Sequence, residues 1–196
     1  MAGEYLAAQP AFDAVYGQLP GELAPKYALA IACERGGQAS TAEQLYRVCA
    51  ATDANYVTPS AFGLARIRSG RGDLKGALDA LNLIPSTSRG YTESRRLRAQ
   101  HLMAHGTGLP DLAAALDAVA AAKLDPSTYA RYAVEILARA LDVVKASGDQ
   151  RGVIIGGRPA TDKAIRPQLE QAYRDLAAYE SDPGERARLI EQANAT

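Results

Sequence analysis

Small and large apolar residues recur along this chain at a spacing that can be counted. Ala42, Tyr46 and Cys49 place a small, a large and a small side chain on one face of a helix. Ala77 lies thirty-five residues after Ala42 and begins the same pattern again. The other matching positions are Leu81 and Ile84 in the second copy, and Ala30 and Ala65, each twelve residues before a copy begins. The pattern therefore predicts pairs of helices that repeat along the chain.

The repeat length indicates the class of fold. A small residue on each helix of a pair lets the two helices pack closely in antiparallel orientation, and a period near 34 residues is that of tetratricopeptide repeats. Such pairs stack into a solenoid that offers a groove for binding. We therefore expect an all-α fold, a tetratricopeptide-type helical-hairpin solenoid with an atypical C-terminal helical cap.

Helix-breaking residues divide the chain into these pairs. One domain is predicted over residues 1–196, and no strand is expected. The predicted repeat pairs are about 24–54, 57–85 and 92–126, the C-terminal helices are about 127–147, 162–180 and 183–194, and a glycine-rich loop covers 148–161. Helix starts are predicted at a capping box of Ser40 with Glu43, at Asp73, at Ser127 and at Asp182.

A further helix precedes the first repeat and is predicted at about 4–18. Leu6, Phe12, Val15 and Tyr16 are expected to face inward from this helix. Pro10 is expected to bend it or to mark its true start, because proline removes one backbone hydrogen bond from a helix interior.

Composition and charge exclude several classes of function. Lysine and arginine total 22 and aspartate and glutamate total 22, so the net charge is zero and non-specific nucleic-acid binding is not expected. No apolar run approaches the length of a membrane span and no leader-like segment begins the chain, so we expect no membrane insertion and a cytoplasmic location. Cys33 and Cys49 fall at inward-facing repeat positions and are interpreted as small core residues of a reduced protein.

The chemically active residues form no recognisable catalytic arrangement. His101 and His105 lie four residues apart and share a helix face, which suits a metal, but no third ligand accompanies them. The alternative is two histidines near a helix C-terminus, where positive charge is favourable. The glycine-containing segments match neither dinucleotide-binding nor phosphate-loop spacing. We therefore predict no catalytic, cofactor-binding or metal-binding residue.

The groove of the solenoid is the predicted functional surface. The first helix of each repeat lines the concave side, and the residues three before and one after each packing alanine should face the groove. These residues are Tyr27, Ile31, Phe62, Arg66, Arg96 and Gln100. Their mixed apolar and cationic character suits an amphipathic or acidic peptide. Two alternatives stay open: the apolar members fill the core, and the arginines belong to a solvated helix face.

Several stretches of the chain resemble one family. They are Leu19-Pro-Gly-Glu-Leu-Ala-Pro-Lys-Tyr-Ala-Leu-Ala30, Ala61-Phe-Gly-Leu-Ala-Arg66, Ile84-Pro-Ser-Thr-Ser-Arg-Gly-Tyr-Thr92 and Arg186-Ala-Arg-Leu-Ile-Glu-Gln-Ala-Asn194. Pro-Gly-Glu-Leu-Ala-Pro-Lys and Pro-Ser-Thr-Ser-Arg are not repeat consensus, so they are more specific than the packing positions. These motifs resemble the C-terminal tetratricopeptide-repeat domain of the actinobacterial protein kinase G family, and the resemblance covers nearly the whole chain.

The resemblance implies a role within a larger protein. Members of that family are soluble serine/threonine kinases with a rubredoxin-like metal module, a kinase domain and then this repeat domain. They phosphorylate a forkhead-associated regulator of 2-oxoglutarate and glutamate metabolism, and the repeat domain is thought to support dimerisation, stability and substrate docking. This chain carries none of the kinase motifs, so it is not expected to transfer phosphate by itself.

These patterns and the resemblance together predict a function. We expect a non-catalytic protein-interaction and dimerisation module of a protein kinase G-like serine/threonine kinase. Its expected partners are the kinase domain of the same chain, a forkhead-associated substrate and a second copy of itself. The alternative is a stand-alone cytosolic adaptor that binds an unrelated peptide in the same groove. A third hypothesis is an enzyme or metal binder built on His101 and His105.

Overall fold

The computed structural model describes residues 2–19 and 21–196. The elements are α1 (Ala2–Gln18), α2 (Leu23–Arg35), α3 (Ala39–Thr52), α4 (Ala54–Gly70), α5 (Leu74–Asn82), α6 (Tyr91–His105), α7 (Leu109–Ala121), α8 (Pro126–Ser147), β1 (Gln150–Ile155), β2 (Arg158–Ala160), α9 (Asp162–Tyr179) and α10 (Pro183–Ala195). Two compact units divide the chain: unit 1 extends to Ser94 and unit 2 covers Arg95–Thr196, so their boundary falls within α6. No helix among the described residues has the length and apolar character needed to cross a membrane.

Unit 1 is a succession of helical hairpins. α1 packs on α2, α2 on α3, α3 on α4 and α4 on α5, and α2 also contacts α4. Contact between the first helices of successive pairs is what stacked repeats require. The repeat positions predicted from their spacing are all buried: Ala30, Ala42, Tyr46, Cys49, Ala65, Ala77, Leu81 and Ile84. The small–large–small pattern is thus confirmed as the core of this unit.

A glycine allows α4 to approach α3 closely. The ring of Tyr46 is fully buried, and a Cβ atom added to Gly63 would lie 2.5 Å from its Cε2 atom. That separation is far inside van der Waals contact, so only glycine fits at this position while the ring stays in place. The large residue of the repeat pattern therefore depends on a glycine in the next helix.

The two cysteines lie in the core of the same unit. Cys33 on α2 and Cys49 on α3 are buried and unpaired, as their repeat positions predict. Burial raises the pKa of both thiols above its ordinary value. Both side chains therefore act as small apolar residues.

The first helix differs from its prediction. α1 continues through Pro10, and Phe12 and Val15 are exposed instead of inward. Tyr16 does face α2, where the Lys26 Nζ atom lies 5.1 Å from the centre of its ring. Helix α1 packs on α2 through one side, and the Phe12 and Val15 side chains of its apolar stripe stay exposed. The side chain of Leu6, also predicted to face inward, lies outside the described residues.

Two of the predicted helix starts are confirmed and one is displaced. Asp73 and Asp182 accept hydrogen bonds from backbone N–H groups three residues later, each at 2.8 Å. α8, however, begins at Pro126 with Asp125 as its cap, and not at Ser127. A residue before proline is disfavoured in helical conformation, so Asp125 stays extended and its carboxylate caps the helix.

The predicted capping box at the start of α3 is wrong. The helix begins at Ala39 without a side-chain cap. The Glu43 carboxylate instead accepts hydrogen bonds from Arg68 Nε at 2.9 Å and Arg71 Nη1 at 2.6 Å. Two guanidinium groups give this carboxylate hydrogen bonds together with opposite charge, whereas a backbone N–H gives one hydrogen bond without a full charge, so the acid joins the end of α4 instead of capping its own helix.

Unit 2 contains the remaining helices and a small sheet. α7 packs on α8, α8 on α9 and α9 on α10, while β1 contacts α7 and β2 contacts α9. The buried residues of α8 include Ala133, Ile136, Leu137, Ala140 and Val144. Alanine, leucine and valine fill the buried positions of α7.

The predicted loop at 148–161 is wrong in its central part, which forms a β-hairpin. β1 and β2 pair antiparallel, with Ile155 opposite Arg158. The turn consists of Gly156 at φ +56° and Gly157 at φ +77°, and two consecutive residues of positive φ make the turn that a tight hairpin needs. Ile155 and Ala160 are fully buried, whereas Ile154 is exposed. The pair of glycines after β-branched residues was the signal for a hairpin.

Candidate functional site

Four of the six predicted groove residues lie in unit 1. Tyr27 and Ile31 are on α2, and Phe62 and Arg66 are on α4, the two helices that contact each other. The three apolar residues are half-buried, and Arg66 is exposed. Half-burial is compatible with both interpretations of these residues, a groove lining and a partial core.

Tyr27 belongs to an aromatic cluster. Its ring centre lies 5.7 Å from that of Tyr46 and 5.6 Å from that of Tyr56, with tilted ring planes. Tilted aromatic pairs at this separation are favourable. The cluster fixes the Tyr27 ring against α3 and α4, and burial raises the pKa of its hydroxyl above the ordinary value.

Arg66 is held by a carboxylate of its own unit. Glu34 Oε1 accepts from Arg66 Nε at 2.7 Å and Glu34 Oε2 accepts from Arg66 Nη2 at 2.9 Å, which makes a bidentate pair. The buried Tyr46 hydroxyl also donates to Glu34 Oε2, at 2.6 Å. We call Glu34, Tyr46 and Arg66 the closed network, because the Glu34 carboxylate accepts hydrogen bonds from both other residues.

The charges of the closed network stabilise each other. Burial opposes the negative charge of Glu34, but the hydrogen bonds from Arg66 and Tyr46 and the guanidinium charge hold its pKa below the usual range. The bond to Glu34 raises the pKa of Arg66. Burial, followed by Glu34, raises the pKa of Tyr46. Arg66 is therefore largely neutralised by Glu34 and offers little net positive charge to a ligand.

Phe62 contacts the turn that precedes α6. A Cβ atom added to Gly90 would lie 3.1 Å from Phe62 Cε2 and 2.7 Å from Thr58 Cγ2. The Thr58 and Ser88 hydroxyl groups share a hydrogen bond of 2.8 Å. The Pro-Ser-Thr-Ser-Arg segment is thus packed against α4, and Gly90 permits the close approach.

The other two predicted groove residues, Arg96 and Gln100, lie in unit 2 on α6. Together with α8 they line a cleft of about 530 Å³. The residues of this α6/α8 cleft are Arg96, Gln100, Met103, Ala104, Thr128, Arg131, Tyr132, Glu135 and Arg139. Both helices contribute positions three or four residues apart, so each wall is a single stripe of its helix.

Hydrogen bonds link the two walls of the α6/α8 cleft. Gln100 Nε2 donates to the Tyr132 hydroxyl oxygen at 3.0 Å, and Arg139 Nη1 donates to the Met103 carbonyl oxygen at 2.7 Å. Arg139 also pairs with Glu135 at 3.0 Å. These bonds fix the spacing of the helices and leave the space between them open.

Arginine dominates the charge of the α6/α8 cleft. Arg96, Arg131 and Arg139 line it, and Glu135 is the single acid among its lining residues. Arg139 is paired with Glu135, whereas Arg131 has no ion pair among the described residues and gives the lining a positive charge. The assignment of the six residues to one binding groove stays a prediction.

The two histidines lie together on α6. Their ring centres are 6.4 Å apart and the rings are stacked. Burial, followed by the charge of His105, lowers the pKa of His101. Among the described residues, no group of three or more His, Cys, Asp or Glu side chains is arranged to hold a metal. The expectation that this chain binds no metal or cofactor stays a prediction.

A family model decides the assignment of the chain. The model for the protein kinase G tetratricopeptide repeat matches residues 1–196. The chain belongs to this family. Membership confirms the resemblance inferred from the Pro-Gly-Glu-Leu-Ala-Pro-Lys and Pro-Ser-Thr-Ser-Arg motifs, and with it the all-α tetratricopeptide-repeat class of fold.

Curated relatives of this protein kinase G repeat chain are kinases. It is 32% identical over 199 residues to the serine/threonine-protein kinase PknG of Mycobacterium leprae, covering 99% of this chain and 26% of that protein. It is also 32% identical over 203 residues to PknG of Mycolicibacterium smegmatis, covering 100% of this chain and 26% of that protein. The chain therefore spans about a quarter of the length of these relatives.

Solved structures similar to the chain include two crystal structures of kinesin light chain TPR-like repeats from Podosopora anserina, each 18% identical to it. One has a TM-score of 0.42 and an alignment that covers 90% of this chain and 95% of that one. The other has a TM-score of 0.40, with 88% and 93% covered.

Several residues of these sites were not found by sequence reasoning. Glu34 was missed because its partner Arg66 is remote in sequence, although Glu34 lies one turn beyond Ala30 on the face of Tyr27 and Ile31. The α8 wall of the cleft was missed because the groove rule was applied to three repeats only. The available signal was the polar stripe of Thr128, Tyr132, Glu135 and Arg139, at helical spacing opposite the buried face.

Proposed function

We propose that this chain is the protein-interaction and dimerisation module of a longer serine/threonine kinase, in which it supports substrate docking and kinase stability. One observation carries the proposal: the chain matches the repeat family over residues 1–196 yet covers 26% of its curated kinase relatives. The expected partners are the kinase domain of the same polypeptide, a forkhead-associated substrate and a second copy of the chain, in the cytoplasm.

The geometry of the repeats supports a binding role. The α6/α8 cleft is open, about 530 Å³ in volume and lined by side chains that donate hydrogen bonds. Cavities of this size with a few convergent polar groups are common ligand sites. Repeat arrays also commonly bind other proteins through the surface that their helices line.

The size of the parent protein is the first test. An antibody against this domain should detect a band several times larger than 20.7 kDa in a lysate of the source cells. A band at 20.7 kDa would contradict the kinase assignment and favour a stand-alone adaptor.

Docking is tested with the full-length kinase and a form that lacks this domain. We expect deletion to raise KM for a forkhead-associated protein substrate while leaving KM for a short peptide around the phosphorylated site unchanged, because only the whole substrate reaches a docking surface. Equal loss with both substrates would indicate a stability role alone. Unchanged kinetics with both would overturn docking.

Dimerisation is tested on the isolated chain. Sedimentation at increasing concentration should give a mass that approaches twice 20.7 kDa. A mass that stays at the monomer value throughout would show that this chain does not carry the dimer contact.

A further inference from the structure

The α6/α8 cleft combines shape and charge in a way that selects a ligand. One wall carries Arg96 and Gln100, and the other carries Arg131, Tyr132 and Arg139. The space between the walls has a volume of about 530 Å³. The lining residues of α8 run from Thr128 to Arg139, about 16 Å along the helix at 1.5 Å per residue, so the open space is long in that direction. An elongated space with donors on both sides suits an extended chain segment better than a compact small molecule.

The two arginines that α8 contributes to the cleft differ in their partners. Arg139 is committed to Glu135 and to the Met103 carbonyl oxygen. Arg131 is exposed, and no ion pair or hydrogen bond of its side chain occurs within the described part of the chain. Its guanidinium group is therefore ready to bind a carboxylate in the bidentate geometry that arginine favours.

Tyr132 adds a donor that is already oriented. Gln100 Nε2 donates to the Tyr132 hydroxyl oxygen, so this oxygen acts as the acceptor and its own proton is left to point elsewhere. Tyr132 lines the cleft, where its hydroxyl can donate a hydrogen bond to an incoming acceptor. A hydrogen bond to a charged acceptor is stronger than one to a neutral acceptor.

We propose that the α6/α8 cleft binds an extended, carboxylate-rich segment of a partner protein, with Arg131 as the main ionic contact and Tyr132 as a donor beside it. The proposal rests on the interaction role proposed above and names the chemistry of the partner. Charge complementarity is its basis, because Arg131 gives the cleft lining a positive charge and a carboxylate segment supplies the opposite charge.

The test uses the whole chain and a fluorescein-labelled peptide in which glutamate alternates with alanine and leucine. Fluorescence polarisation should show binding that weakens as salt is added, because screening reduces exposed charge pairs. Arg131→Glu should weaken binding by about tenfold or more, since it replaces attraction with repulsion. Tyr132→Phe should weaken it by roughly threefold, through the loss of one hydrogen bond.

Matched controls separate this site from general charge effects. Arg151→Glu changes the net charge equally, in the same unit but outside the cleft lining, and should leave the affinity nearly unchanged. A peptide with glutamine in place of each glutamate should not bind. Circular dichroism should show that every variant keeps its helix content.

Several outcomes would overturn the proposal. Equal losses for Arg131→Glu and Arg151→Glu would place the peptide elsewhere, and tight binding of the glutamine peptide would indicate an apolar contact. Binding restricted to a version with phosphoserine at each glutamate would assign the cleft to phosphate. The kinase domain takes no part in this assay, so its result is independent of the deletion experiment that tests the docking role.

Discussion

Arg66 in unit 1 and Arg131 in unit 2 are both exposed arginines, yet their surroundings differ. Glu34 accepts hydrogen bonds from Nε and Nη2 of Arg66, and it also accepts a hydrogen bond from the Tyr46 hydroxyl. Arg131 faces the α6/α8 cleft beside Glu135, whose carboxylate pairs with Arg139. The number of arginines along a helix face therefore does not give the charge that a ligand meets. Pairing within the protein decides it.

The two sites also differ in what they contribute to the fold. The closed network surrounds a fully buried ring, whereas Tyr132 in the cleft is half-exposed. We therefore expect substitutions in the closed network to reduce stability, and substitutions on the cleft wall to reduce binding. Four experiments test this difference.

The largest effect is expected at Tyr46. Tyr46→Ala removes a fully buried aromatic ring and should lower the free energy of unfolding by about 3–5 kcal/mol. Tyr46→Phe keeps the ring and removes one hydrogen bond to Glu34, so about 1–2 kcal/mol is expected. Urea denaturation measures both. Tyr132→Phe is the matched variant in the cleft, and a loss as large as that of Tyr46→Phe would remove the distinction between the sites.

A smaller loss is expected at the glycine that faces the same ring. Gly63→Ala forces its new methyl group against Tyr46 and should destabilise unit 1 by about 1–2 kcal/mol, after the helix-propensity gain of alanine is included. Gly70→Ala on the same helix meets open space, so thermal denaturation should show no loss of stability. Equal melting temperatures for the two variants would mean that the ring moves without cost.

The pH dependence of stability should distinguish the acids of the two sites. The folded-state pKa of Glu34 lies below its unfolded value, so its ionised form adds stability above the unfolded pKa and loses it as pH falls through the folded pKa. At neutral pH, Glu34→Gln should cost about 1–2 kcal/mol, and the cost should shrink as the pH falls below the unfolded pKa of the Glu34 carboxyl and through its lower folded pKa.

Urea denaturation at a series of pH values measures this difference. The comparison variant is Glu135→Gln in the cleft, which removes an exposed ion pair and should cost less than about 0.5 kcal/mol at neutral pH. A cost for Glu34→Gln that stays constant with pH would show that ionisation of Glu34 does not contribute to folding.

The smallest effect is expected for peptide binding at the closed network. Arg66→Gln should change the affinity for the glutamate peptide by less than about twofold, because Glu34 already neutralises this arginine. Polarisation with the same peptide provides the measurement. A loss comparable to that of Arg131→Glu would show that the closed network opens and takes part in binding the peptide.

The packing of unit 1 could be predicted from the sequence because it depends on side-chain size at fixed spacing. Ala30, Ala42, Tyr46 and Ala77 are buried where the repeat places them. Burial at a helix contact is a local property of period and volume, and both can be read from the chain. The Asp73 and Asp182 caps were predictable for the same reason, since each bonds to a residue three positions away.

Charge pairing could not be predicted in this way. Glu43 has the spacing of a capping box with Ser40, but Arg68 and Arg71 compete for it from another helix. Helical periodicity does not predict the hairpin at 150–160, because the sequence signal of a hairpin is the pair of glycines at its turn. The outward position of Phe12 depends on what covers α1, which periodicity does not reveal.

The buried thiols of Cys33 and Cys49 allow the opening of unit 1 to be followed by their rate of chemical labelling. A thiol reagent needs an exposed thiolate, and burial here both hides the sulfur atoms and raises their pKa. Labelling must therefore wait until the helices that cover the two thiols open, and its rate reports how often they do. The native cysteines therefore report the local opening of unit 1 without any engineered substitution.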